Sequence, residues 1–177
     1  MELRPLGSTG IHVSPLGLGT VKIGRNEQVK YPQGFEIPDD QTVSNLFALA
    51  SELGINFIDT APAYGTSEDR LGQLLPNRED WVIMTKVGEI FENGQSRFDF
   101  SASYTRQSIE SSLSKLKRDR VDIVLVHSDG NDMDIINNQG ALEELEKLKH
   151  QGLVGAYGMS TKTVEGGTWI VEHTDVV

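Results

Sequence analysis

The sequence contains no cysteine, which excludes a disulfide framework and any thiolate metal centre. No apolar run approaches the roughly 18 residues that a membrane-spanning helix needs. The start, Met1-Glu2-Leu3-Arg4-Pro5, lacks the basic and apolar regions of a secretory leader. A cytoplasmic protein is therefore expected. Positive charge is also scarce: 16 Lys and Arg stand against 26 Asp and Glu, a formal net charge of −10. Such a surface repels polyanions, so nucleic acid is not an expected partner, although local positive potential would still admit an anionic cofactor. No Gly-x-Gly-x-x-Gly opens the first helix, which counts against a Rossmann-type dinucleotide fold. Gly166-Gly167 is no phosphate loop either, since no Lys-Ser/Thr follows it. His12, His150 and His173 show no metal-ligand spacing, so no metal is expected.

What is present is ordinary globular material. Hydrophobic residues make up 37% and charged residues 24% of the chain, which argues against disorder and for a single domain over residues 1–177. Residues 3–6 and 11–13 flank Gly7-Ser8-Thr9-Gly10 as a small hairpin. Residues 16–20, Leu-Gly-Leu-Gly-Thr, form a short apolar run expected to be a buried strand that something approaches closely. A pattern then repeats in which an amphipathic helix gives way to an apolar strand. Val43, Leu46, Phe47, Ala50 and Leu53 have helical spacing, with Asp39 or Asp40 as cap and Gly54 as stop. The strand 55–58 follows. A shorter helix carries Leu71, Leu74 and Leu75 and leads to the strand 81–85. Ile109, Leu113 and Leu116 lead to the strand 121–126, and Leu142, Leu145 and Leu148 to the strand 153–157. A last helix, about 163–173, runs into Val176-Val177.

Apolar strands alternating with amphipathic helices imply an α/β fold with a parallel sheet, either doubly wound or a (β/α)₈ TIM-type barrel. The missing glycine fingerprint and two long loops after strands, at 21–38 and 88–101, favour the barrel, whose sites lie at strand C-terminal ends. Five strand–helix units and the beginning of a sixth strand are fewer than the eight of a closed barrel, so an incomplete barrel truncated at the C-terminus is expected. Exposed edges of such a barrel would promote self-association.

Four polar groups stand at or just past strand ends: Asp59, Tyr64, Lys86 and His127. Each has an ordinary reading. Asp59 before Thr60 suits a turn, Tyr64 a loop aromatic, Lys86 a solvated strand end, and His127 a hydrogen-bonded structural histidine. Together they suit carbonyl reduction, which needs a proton donor for the developing alkoxide. A tyrosine beside an ammonium is such a donor, an aspartate can hold the lysine, and a histidine can hydrogen-bond the carbonyl oxygen. Asp129, Asp132 and Asp134 read as a solvated acidic loop, with a cation site as the alternative. The Glu143–Lys149 stretch reads as a charged outer helix face. Of Trp81, Phe91 and Phe98, only the last two lie in a loop able to reach substrate.

Several segments resemble the aldo-keto reductase family. Phe57-Ile58-Asp59-Thr60-Ala61-Pro62-Ala63-Tyr64-Gly65 is similar to its Asp–Tyr signature, Thr85-Lys86 to its lysine strand, and Asp122-Ile123-Val124-Leu125-Val126-His127 to its histidine strand. The opening 6–20 resembles its hairpin and first strand, and Gly155-Ala156-Tyr157-Gly158-Met159-Ser160 the strand whose serine holds the nicotinamide carboxamide. The resemblance implies a barrel that binds NADPH, less often NADH, and passes hydride to an aldehyde or ketone. It implies Tyr64 as general acid tuned by Lys86 and Asp59, with His127 orienting the carbonyl. Gly19, Thr20, Asp59 and Ser160 would meet the cofactor. Thr161 departs from the asparagine usual after that serine, and the family's pyrophosphate and adenine contacts come from later segments than these. Two other readings stay open: a non-catalytic cofactor-binding regulator on the same scaffold, and an inactive barrel fragment.

Overall fold

The computed structural model describes residues 1–173. A two-stranded antiparallel hairpin, β1 (Arg4–Pro5) with β2 (His12–Val13), precedes β3 (Gly17–Gly19). A single helical turn, α1 (Val21–Gly24), follows, then α2 (Asp40–Glu52), β4 (Phe57–Asp59), a 3-10 turn at Pro62–Tyr64 and α3 (Ser67–Leu74). Next come β5 (Val82–Val87), the pair β6 (Glu89–Glu92) and β7 (Gln95–Phe98), and α4 (Ala102–Leu116). The chain continues through β8 (Val121–His127), α5 (Asp132–Asn138), α6 (Ala141–His150), β9 (Val154–Ser160) and α7 (Val164–His173). The expected strand start at Val176-Val177 lies outside the described residues.

Five strands form one parallel sheet in the order β3-β4-β5-β8-β9. Each crossover moves one place in the same direction. Because parallel crossovers are right-handed, helices connecting strands in this order fall on one face of the sheet. They do: α2 packs on α3, α3 on α4 and α4 on α6. No reversal of strand order occurs among the described residues, so the crevice that defines a doubly wound sheet is absent from them.

The expected helices form because their apolar spacing has a core to meet. Val43, Phe47 and Ala50 of α2 are buried. Asp39 accepts a hydrogen bond from Thr42 N at 2.7 Å, a cap worth about 1 kcal/mol. Ile109 and Leu116 of α4 and Leu145 and Leu148 of α6 are fully enclosed, each contributing about 1.5–3 kcal/mol by burial. Along β8 the faces differ. Val124 and Val126 join the helix-covered core, while Leu125 and His127 on the other face are half-buried.

Three expectations are corrected. The strand expected at 16–20 is shorter and largely exposed, because β3 pairs only with β4 among the described strands. The loop expected at 88–101 contains the β6–β7 hairpin, whose register pairs Glu89 with Phe98 and Glu92 with Gln95. Its sequence alternates too weakly to announce strands, and its turn, Asn93-Gly94, takes positive φ at both residues. The acidic stretch runs into α5: Asp129 precedes the helix and is exposed, Asp134 is exposed in its first turn, and Asp132 is the exception to the solvated reading. Asp132 is 1% exposed and accepts bonds from Ser128 Oγ, Lys162 N (2.9 Å), Thr163 N (2.7 Å) and Thr163 Oγ1 (2.6 Å). It ties the end of β8 to the start of α7. Burial pushes its carboxyl up, but these bonds outweigh burial and hold it below the usual range. No group of three or more His, Asp or Glu gathers to hold a metal among the described residues. No helix there is long and apolar enough to cross a membrane.

Candidate active site

The parallel register carries the polar strand ends to one edge. Gly19 pairs with Asp59, and His127 pairs with Ser160. Lys86 pairs with Leu125, two residues before His127. Tyr64 reaches the same edge at the end of its 3-10 turn, because Pro62 starts that turn just after β4 ends at Asp59. The turn is fixed by a backbone approach that only glycine allows. A Cβ at Gly24 would stand 2.2 Å from Tyr64 O, and one at Gly65 2.2 Å from Gly24 O. Gly65 also has a φ of 63°, which favours glycine further.

Lys86 is the hub. It is 5% exposed, and its Nζ donates to Asp59 Oδ1, to Thr60 O at 3.0 Å and to Tyr64 Oη at 3.2 Å. A buried ammonium costs several kcal/mol unless paired, and these three acceptors are its compensation. Because Tyr64 Oη accepts from Lys86, its own O–H proton is left to point elsewhere. The His127 ring stands perpendicular to the Tyr64 ring at a centroid distance of 6.5 Å. Both line a cleft of about 570 Å³ together with Tyr31, Glu89, Phe98 and Lys162. The four residues singled out in the sequence are thus brought together.

The cofactor-facing candidates are placed less uniformly. Gly19 is exposed and a Cβ there would meet nothing within 4 Å. Ser160 is half-buried at the end of β9. Thr20 is 1% exposed, and its hydroxyl donates to Asp59 O at 2.9 Å and accepts from Ser67 Oγ at 2.8 Å. That hydroxyl is fully engaged in holding β3 to β4 and α3. Phe98 reaches the cleft as expected, whereas Phe91 lies under the Arg25 guanidinium at 3.4 Å.

Two residues of the site escaped sequence reading. Glu89, the first residue of β6, brings Oε2 to 2.9 Å from His127 Nδ1, an approach bent from a linear hydrogen bond. Arg25, just after α1, lies 3.4 Å from Glu89 Oε1 and donates to Ala63 O, Glu27 O and Gln28 O. The signal for Glu89 was its position, three residues past Lys86 beyond a glycine. A loop assignment hid the hairpin that aims it.

With this geometry in place, comparison with known proteins is direct. The profile of the aldo/keto reductase family matches residues 15–176, and the chain belongs to that family. It is 35% identical to L-galactose dehydrogenase of Arabidopsis thaliana, over 98% of this chain and 52% of that protein. A Pseudomonas aeruginosa protein assigned to the aldo-keto reductases has a solved structure at 58% identity and a TM-score of 0.89, covering 97% of this chain and 65% of that one. The holo form of an aldo-keto reductase from Bacillus halodurans superimposes with a TM-score of 0.83 at 29% identity, over 100% of this chain and 56% of that one. The chain spans about half the length of the curated relatives it matches.

Proposed function

We propose that this chain carries the proton-transfer side of an NADPH-dependent carbonyl reductase, and that its sheet is the first part of a (β/α)₈ barrel domain. The observation that carries the reading is the single buried ammonium of Lys86 bonded at once to Asp59 and to Tyr64 Oη. On this reading an aldehyde or ketone lies in the cleft with its oxygen between Tyr64 and His127. When bound, the nicotinamide supplies the hydride. Negative charge then grows on the substrate oxygen, and Tyr64 gives it the phenolic proton. Lys86 stabilises the phenolate left behind, and Asp59 holds Lys86 in place. His127 donates a hydrogen bond to the same oxygen.

The residues present suit the nicotinamide end of the cofactor. Open space above Gly19 admits a flat ring against the backbone. Ser160 supplies a hydroxyl beside His127 for a carboxamide. Asp59, with its side chain 38% exposed, offers its second oxygen to a ribose hydroxyl. Thr20 acts there by fixing the strand end, its backbone N–H and its hydroxyl both donating to Asp59 O.

A second reading follows from the name of the Arabidopsis relative. The same group run in reverse takes a proton from a sugar hydroxyl, and the polar lining around Lys162 and Glu89 suits a polyhydroxylated substrate. One assay separates the two. NADPH and NADH oxidation is measured with 4-nitrobenzaldehyde, and NADP⁺ and NAD⁺ reduction with L-galactose. Turnover in either direction that falls about 10²–10⁴-fold in Tyr64→Phe supports the shared chemistry. An unchanged rate in that variant overturns it.

A further inference from the structure

The hairpin absent from the sequence reading delivers a carboxylate to the imidazole of the candidate site. Glu89 is held from three directions. Its Oε2 faces His127 Nδ1 at 2.9 Å, and its Oε1 accepts from Ser96 Oγ of β7 at 2.6 Å and lies 3.4 Å from Arg25 Nη1. Arg25 is itself buried and fixed by three backbone carbonyls and the face of Phe91. A carboxylate 13% exposed is costly to hold without partners. Burial pushes its carboxyl up, but the close approach of His127, the bond from Ser96 and the charges of His127 and Arg25 outweigh burial and bring it down to about 2. It is therefore an acceptor at neutral pH.

We propose that Glu89 is the positioning residue of His127: it holds Nδ1, leaves Nε2 as the nitrogen for the substrate oxygen, and makes donation from Nε2 depend on a doubly protonated ring. The role given to His127 rests on the reductase reading; the Glu89–His127 pairing does not. An imidazole whose Nδ1–H is held by a carboxylate has a bare lone pair at Nε2 when neutral, and an N–H there only when both nitrogens carry protons. Carbonyl reduction needs the N–H. Alcohol oxidation suits the lone pair, which accepts from the substrate hydroxyl. Glu89 thereby links the direction of turnover to pH. The other ionisable groups around the ring are Tyr64 from the 3-10 turn, Lys86 and Asp59 behind Tyr64, Arg25 behind Glu89, and Lys30, Tyr31 and Lys162 elsewhere in the cleft lining. None of these is in ion-pair contact with the ring, whereas Glu89 is.

Two measurements on the full chain test the proposal. The first is ¹⁵N NMR of the imidazoles from pH 5 to 9, with His127 assigned by the loss of its signals in His127→Gln. The neutral ring carrying its proton on Nδ1 is the expected result; a proton on Nε2 overturns the proposal. This needs no Glu89 variant and no turnover. The second is a kinetic cycle. Glu89→Gln, nearly the same size, lowers kcat for aldehyde reduction about 10–100-fold, the range for outer positioning partners, with the cofactor KM unchanged. In a His127→Ala background it has little further effect. Equal losses in both backgrounds would mark Glu89 as merely structural and overturn the proposal. An unaffected Tyr64→Phe would instead defeat the reductase reading, and the NMR result would still decide the pairing.

Discussion

The two ends of the parallel sheet use polar residues differently. At the end where strands begin, side chains bind backbone. Asn56 accepts from Ser14 N at 2.7 Å and donates to His12 O at 3.1 Å, closing the β1–β2 hairpin onto β4. Asp122 accepts from Ile83 N at 2.9 Å, and Arg118 donates to Trp81 O at 2.9 Å. At the end where strands finish, backbone-directed bonds such as Thr20 to Asp59 O persist, but side chains also face one another: Lys86 bonds to Asp59 and Tyr64, and Glu89 approaches His127. Backbone-directed groups fix strand positions. Groups directed at one another leave a proton free to move. The same residue types therefore stabilise the fold at one end and set up chemistry at the other.

The largest expected effect breaks the chemical end. Lys86→Met removes the shared donor and lowers kcat by about 10²–10⁴-fold, while circular dichroism shows an unchanged fold. A smaller effect, of a different kind, breaks the structural end. Asp122→Ala leaves Ile83 N without its acceptor and costs about 1–3 kcal/mol. Thermal melting should show Tm lower by a few degrees, with kcat per folded molecule unchanged. The smallest effect sharpens the boundary between the two ends. Glu89 has its folded carboxyl lowered from 4.5 to about 2, so its contribution to stability is complete above about pH 4.5 and is lost as pH falls toward 2. Urea melts at pH 6 and pH 3 should differ less in Glu89→Gln than in the unaltered protein. An equal difference would show that other carboxylates govern the acid limb.

Both ends were unequally legible in the sequence. The alternation of helices and strands was plain, because helical spacing such as Val43, Phe47 and Ala50 records a buried face directly. Asp59, Lys86 and His127 stood out because an ionisable residue closing an apolar strand is hard to explain otherwise. Tyr64 followed from its short distance to Asp59. Glu89 and Arg25 did not stand out. Each sits in a segment whose shape comes from tertiary contacts: the β6–β7 hairpin folds back over the site, and Arg25 is fixed by carbonyls at Ala63, Glu27 and Gln28. Asp132 was misread for the same reason. Its acidic neighbours suggest solvent, while its acceptors are satisfied by Lys162 and Thr163, about 30 residues away in the chain.

The account's central claim is that Lys86 acts through Tyr64, so that the two form one proton-transfer unit. The most direct test compares kcat for aldehyde reduction in Tyr64→Phe, in Lys86→Met and in the double variant. The account predicts that the double variant is no slower than the slower single one, because either change alone disables the unit. Losses that multiply in the double variant would contradict it.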